Sequence, residues 1–262
     1  MSLHRIVLYC WPCLLAIPLA AQPQIGGGTC TSSTLNGTYS LTLSGRDLSS
    51  SVAFSTISQG IGLATFDGQS KVTLTLTNNT NKAFGMAQTL AGTYSLQSNC
   101  LGAVNITTGD TASFILGSYS QGTDYFLTGQ DGVYSFLGSG NTQPTTTCAA
   151  TQLSGVYAFN GNGFALNAGV IAGVNYISGL LTFDGTSAVT ANWYVAANGS
   201  SVLTTATGTY TVSANCTATA TLTDSSSNAY SLVFTITAAS GSNFILSGSN
   251  AKLIFSASGR TL

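Results

Sequence analysis

The chain has 262 residues, a formal net charge of −1 and only 5% charged side chains, so Ser, Thr, Asn and Gly fill its polar positions. Glutamate is absent, and His4 is the single histidine. So few cations cannot build the basic stripe that meets a phosphate backbone or an anionic lipid surface, which excludes nucleic acid as a partner and electrostatic membrane attachment.

In chain order, residues 1–21 come first. His4 and Arg5 precede an apolar run from Ile6 to Ile17 and then Pro18-Leu19-Ala20-Ala21. This reads as a secretory signal peptide cleaved near Ala21, too short and wrongly flanked for a membrane anchor. Cys10, Cys13 and His4 leave with it. The mature chain then has no histidine and no Cys-x-x-Cys pair, so Ser-His-Asp and Cys-His catalysis and a zinc centre are all out of reach. We therefore expect a non-enzymatic protein with no metal and no cofactor.

After a short N-terminal segment, 22–29, a first β domain is expected over 30–140. Strand signals fall near 37–45, 52–58, 61–66, 71–77, 83–90, 92–98, 103–108, 112–119, 124–129 and 133–138. Some neighbours should merge into one bent strand, leaving about eight. Lys71 to Thr77 alternates strictly, with Val72, Leu74 and Leu76 on one face and Thr73, Thr75 and Thr77 on the other, the pattern of a half-buried strand. Asp67-Gly68 sits between two strands, where Asp-Gly makes a tight hairpin because glycine accepts positive φ. The aromatics of this half, from Tyr39, Phe54 and Phe66 through Phe84, Phe114, Phe126 and Phe136, form a core or line an apolar cavity.

A linker is expected at 141–147, and a second domain over 148–262 repeats the first. Cys30 before Leu35-Asn36-Gly37-Thr38-Tyr39 is matched by Cys148 before Leu153-Ser154-Gly155-Val156-Tyr157, roughly 118 residues on. Thr65-Phe66-Asp67-Gly68 is matched by Thr182-Phe183-Asp184-Gly185. Gly92-Thr93-Tyr94 leading to Asn99-Cys100 is matched by Gly208-Thr209-Tyr210 leading to Asn215-Cys216. If each half folds on its own, Cys30 pairs with Cys100 and Cys148 with Cys216. Each bridge closes a loop of about 70 residues and is worth on the order of 4 kcal/mol. Lys252-Leu253-Ile254-Phe255 reads as the closing strand, with Arg260 beyond it.

Short connections suit a meander better than a Greek key, and closure removes edges that so weakly charged a chain cannot protect. The expected fold is all-β: two tandem antiparallel eight-stranded up-and-down barrels, each with one disulfide. The carboxylates Asp47, Asp67, Asp110, Asp124, Asp131, Asp184 and Asp224 all lie beside turn residues, which reads as turn geometry rather than catalysis or calcium binding.

The pattern Cys, Leu-x-Gly-x-Tyr, Thr-Phe-Asp-Gly, Gly-Thr-Tyr-x-x-x-x-Asn-Cys resembles a repeat of uncharacterised secreted proteins from environmental, notably soil, bacteria. The resemblance covers nearly the whole mature chain and implies small β-barrels, loosely similar to lipocalin or avidin shapes, with no activity to carry over. The sequence departs from that repeat after the second cysteine, where Leu101-Gly102 and Thr217-Ala218 follow.

The functional expectation is an extracellular, periplasmic or cell-surface protein that binds a small apolar molecule or plays a structural role. One alternative is an adhesive module whose hydroxyl-rich exterior touches glycans or other copies of itself. The other is an outer-membrane barrel using all sixteen strands. Against that one stand strands too short for a bilayer, hydroxyls on the faces that would meet lipid, and no aromatic girdle, so no membrane insertion is expected.

Overall fold

The computed structural model describes residues 29–48, 56–197 and 199–262. The expected leader 1–21 and Phe54 lie outside these described residues. Among these residues sixteen strands follow one another, with three short 3-10 turns, one ahead of each set of eight and one within the first. The first eight are β1 (Asn36–Asp47), β2 (Ile57–Asp67), β3 (Lys71–Thr80), β4 (Met86–Leu96), β5 (Leu101–Thr108), β6 (Ala112–Tyr119), β7 (Asp124–Gln130) and β8 (Tyr134–Asn141). The second eight are β9 (Ser154–Asn167), β10 (Val170–Asp184), β11 (Ala188–Ala197), β12 (Ser200–Val212), β13 (Thr217–Asp224), β14 (Ala229–Ile236), β15 (Asn243–Asn250) and β16 (Leu253–Thr261). Each set closes on itself as an antiparallel meander, β1 pairing with β8 and β9 with β16. Two closed rings form, not one ring of sixteen.

Neighbouring segments merge as expected, and the ends of the closing strand and the linker are corrected. The segments 61–66 and the end of 52–58 belong to the single strand β2, positions 52–55 being outside the described residues, and 83–90 with 92–98 merge into β4. The closing strand runs through Arg260 to Thr261. The linker starts late, because β8 includes Asn141 and Thr142 still bridges to Tyr39.

Strict alternation places Tyr39, Leu41, Phe66, Val72, Leu74, Tyr94 and Leu116 inside the first barrel and Tyr157, Phe183, Trp193, Tyr210, Leu222 and Phe234 inside the second. The motif residues close one end of each barrel. Phe66 meets Tyr39, Tyr94 and Tyr125 edge-on at centroid distances of 5.5, 4.9 and 5.5 Å. Phe183 meets Tyr157 and Tyr210 at 5.5 and 4.9 Å. A buried phenol needs an acceptor, and the capping segment supplies backbone carbonyls. Tyr94 donates to the carbonyls of Ser32 and Leu35, both at 2.8 Å, as Tyr210 donates to Ala150 and Leu153 at 3.1 and 2.9 Å. The expected disulfides pin these caps: Cys30–Cys100 and Cys148–Cys216 span Cα separations of 5.0 and 4.9 Å.

The barrels lie side by side. Strand β2 is buried on both faces: Ala64 and Phe66 point into its own barrel, while Ile57, Gln59, Ile61 and Leu63 point outward against β14, β15 and β16. Ile57 joins Phe164, Leu166 and Ile254 of the second barrel in one apolar cluster. Full burial of each such side chain is worth about 1.5–3 kcal/mol. Polar contacts fix the register. Asn79 donates from Nδ2 to Ser247 Oγ at 2.9 Å, Asn81 donates to the carbonyl of Gly169 at 2.8 Å, and Thr235 donates to that of Gly62 at 3.3 Å. Phe164 therefore lies between the barrels rather than inside its own.

Candidate functional site

The Asp-Gly turns, singled out in the sequence, sit at the capped ends. Asp67 Oδ1 accepts from the amides of Gln69, Ser70 and Lys71 at 2.8, 2.8 and 2.9 Å, and Asp184 Oδ1 repeats this with Thr186, Ser187 and Ala188. These donors hold the Asp67 carboxyl below its usual range; for Asp184 the Thr186 hydroxyl is the largest cause and the amides add to it. Gly68 and Gly185 supply the left-handed residue each turn needs, at φ +76 and +80°. The loops hold three residues, Gly68–Ser70 and Gly185–Ser187, rather than the two of the tightest hairpin. A carboxylate saturated by its own loop is a turn device.

Chemistry gathers at the opposite end of the first barrel. A cavity of about 190 Å³ opens there between the β3–β4, β5–β6 and β7–β8 connections. Its floor is apolar: Leu43, Leu76, Leu90, Phe114 and Phe136. Phe136 lies 6.0 Å from Phe114 and 5.7 Å from Tyr134. Its upper wall is polar. Ser58 donates to Asn78 Oδ1 at 2.8 Å, Gln88 and Tyr134 stand beside them, and the carboxylates of Asp110 and Asp131 lie at the mouth. Asp131 accepts from the amides of Val133 and Tyr134, both at 2.6 Å, and Asp110 from Thr111 at 2.7 Å, so both are turn residues as expected and also line the cavity. Burial raises the Tyr134 phenol above its ordinary value, and the negative charges of Asp47 and Asp131 add to this. The phenol is therefore a hydrogen-bond donor at neutral pH.

Met86, which lines the cavity, is exposed, as are Phe84 and Val133 in the β3–β4 and β7–β8 connections. Phe84, expected inside, is thus exposed, and Phe126, also expected inside, points outward. Its ring occupies the space a side chain on Gly117 would need, which places it flat on the outer sheet.

Larger side chains stand at three equivalent positions of the second barrel. Register fixes the equivalence: Leu76 lies opposite Gly62 as Trp193 lies opposite Gly179, Gly60 opposite Asn78 as Ile177 opposite Val195, and Ala112 opposite Ile106 as Tyr230 opposite Leu222. The replacements Gly60 by Ile177, Leu76 by Trp193 and Ala112 by Tyr230 all add volume. Trp193 is fully buried, with Tyr230 edge-on at 5.2 Å and Phe159 at 6.1 Å. Tyr230 also closes the mouth by donating to Asp224 at 3.1 Å.

A second hollow runs outside, between the barrels, as two adjoining cavities of about 490 and 530 Å³. Asn160, Ser258 and Ile245 line both, and Arg260 is the one charged side chain among the described residues along them.

Among the described residues no group of three or more His, Cys, Asp or Glu is placed to hold a metal, and no helix is long and apolar enough to cross a membrane. No family model matches the chain. No curated protein matches it. Among solved structures it is similar to a protein of unknown function from the DUF3598 family of Nostoc punctiforme, at 8% identity and a TM-score of 0.27, over 87% of this chain and 97% of that one.

Proposed function

We propose that this is a secreted, non-enzymatic binding protein whose first barrel holds a small molecule with an apolar body and a polar, preferably cationic, head. One observation carries the reading. Of two barrels built to one plan, the first keeps a cavity of about 190 Å³ at positions where the second is filled by Ile177, Trp193 and Tyr230. Native interiors are close-packed, so room left at three matched positions is a departure that invites a guest. Sites for drug-sized ligands start at roughly 300 Å³, so the guest is smaller, about the size of one substituted ring. The apolar floor suits its body, and Asp110 and Asp131 at the mouth suit a positive or donating group. Two disulfides fit an oxidising compartment, and the apolar run before Ala21 fits export.

Calorimetric titration of the native chain with benzylamine, benzyl alcohol and toluene tests this. All three should bind, benzylamine most tightly. Ala112→Tyr, which installs the residue of the second barrel, should weaken binding by about tenfold or more. Ala112→Phe gives the same test should the tyrosine variant fail to fold. No uptake of any of the three, or unchanged uptake by a folded variant, would refute the pocket.

A further inference from the structure

The hollow between the barrels is walled by the same three strands of the repeat on both sides. On one wall Thr42, Ser139 and Phe126 stand abreast on β1, β8 and β7; on the other Asn160, Ser258 and Ile245 stand abreast on β9, β16 and β15. One step along, Ser44 beside Leu137 is repeated by Asn162 beside Ser256, and one step the other way Asn141 is repeated by Arg260. All of them line the hollow. Outward positions on a strand recur at every second residue, so each wall carries three rungs roughly 6.8 Å apart.

These rungs are polar, mostly uncharged and free to bind. Among the described residues the side chains of Asn160, Asn162, Ser256 and Ser258 have no hydrogen-bond partner, and Arg260 has no carboxylate partner. Beside them lie apolar surfaces: Phe126, laid over Gly117, the exposed Leu137, and Ile245. An Asn amide and a Ser hydroxyl each both donate and accept, as does every hydroxyl on the edge of a sugar ring, while the C–H faces of that ring suit an aromatic or aliphatic side chain. The two joined cavities, about 490 and 530 Å³, each fall in the range that takes a drug-sized molecule, so together they fit an elongated guest. Other guests fit worse. A wholly apolar one would strip water from the amides without replacing its hydrogen bonds. A polyanion would meet one cation, Arg260, and an extended peptide would find no strand edge to join, because both barrels are closed.

We propose that this hollow is a second binding site, for a short uncharged oligosaccharide that lies along the rungs, with its hydroxyls bonded to Asn160, Asn162 and Ser258 and one ring against Phe126. It is separate from the pocket inside the first barrel. Calorimetric titration of the full native chain with cellohexaose, laminarihexaose and chitohexaose tests it. At least one of the three should bind with a Kd of about 1 mM or tighter. Its affinity should be the same at about 50 and about 500 mM salt, because the contacts contain no ion pair. Asn160→Ala, at an exposed and unbonded position, should weaken binding by about three- to tenfold, and Ser258→Trp, which fills the middle rung, should abolish it, both with an unchanged circular dichroism spectrum. No binding of any of the three sugars, or binding of hexagalacturonate alone, would overturn the proposal. So would sugar binding that survives Asn160→Ala undiminished but is lost in Tyr176→Ala, since Tyr176 is an exposed ring on β10 that does not line the hollow.

Discussion

The two barrels agree at their capped ends and part company at the other. Tyr39, Phe66 and Tyr94 repeat as Tyr157, Phe183 and Tyr210 with the same edge-on packing, the same backbone acceptors and the same disulfide. At the far end Gly60, Leu76 and Ala112 are matched by Ile177, Trp193 and Tyr230. The shared end sets the shape of an eight-stranded barrel, and the divergent end decides whether that shape has space inside. Leu74 and Leu90 become Ala191 and Ala206 beside the larger Trp193, a volume exchange that keeps the second core dense.

The largest effect should come from the shared end. Replacing both cysteines of either bridge by alanine should cost about 4 kcal/mol, because the loops closed are nearly equal in length, with sequence separations of 70 and 68. Chemical denaturation of the two double variants measures this, and costs differing by more than about 2 kcal/mol would show that the caps are not equivalent.

A smaller effect separates the two interiors. Ser58 in the first barrel is bonded to Asn78, but their counterparts in the second are Asn175 and Val195, and the buried amide of Asn175 has no partner for either its nitrogen or its oxygen. Leaving such a group unpaired costs about 1–3 kcal/mol, so Asn175→Val should raise the stability of the protein by an amount in that range, whereas Ser58→Val should lower it. Equal losses from both variants in thermal denaturation would show that the Asn175 amide is satisfied in solution.

Fold and disulfide pairing were legible in the sequence because both rest on local pattern and repetition: the alternation of Lys71 to Thr77, the Asp-Gly turns and the doubled cysteine spacing. The docking of the barrels was legible only in part. Ile57, Ile61 and Leu63 face away from Ala64 and Phe66, which makes β2 apolar on both sides, the mark of a strand covered twice. Asn79 and Asn81 gave no such signal, since an asparagine that bridges two barrels looks like any loop asparagine. The cavity could not be read at all. It depends on a volume balance among side chains from strands far apart in sequence, and only closure of the barrel brings Gly60, Leu76 and Ala112 to one place.

The most direct test of one hollow and one filled barrel is a crystal of the native chain under xenon pressure. Xenon enters apolar cavities that side chains leave unfilled. Anomalous scattering should place it among Leu43, Leu76, Leu90, Phe114 and Phe136 of the first barrel, with none inside the second. Xenon beside Trp193, or none in the first barrel, would contradict the account.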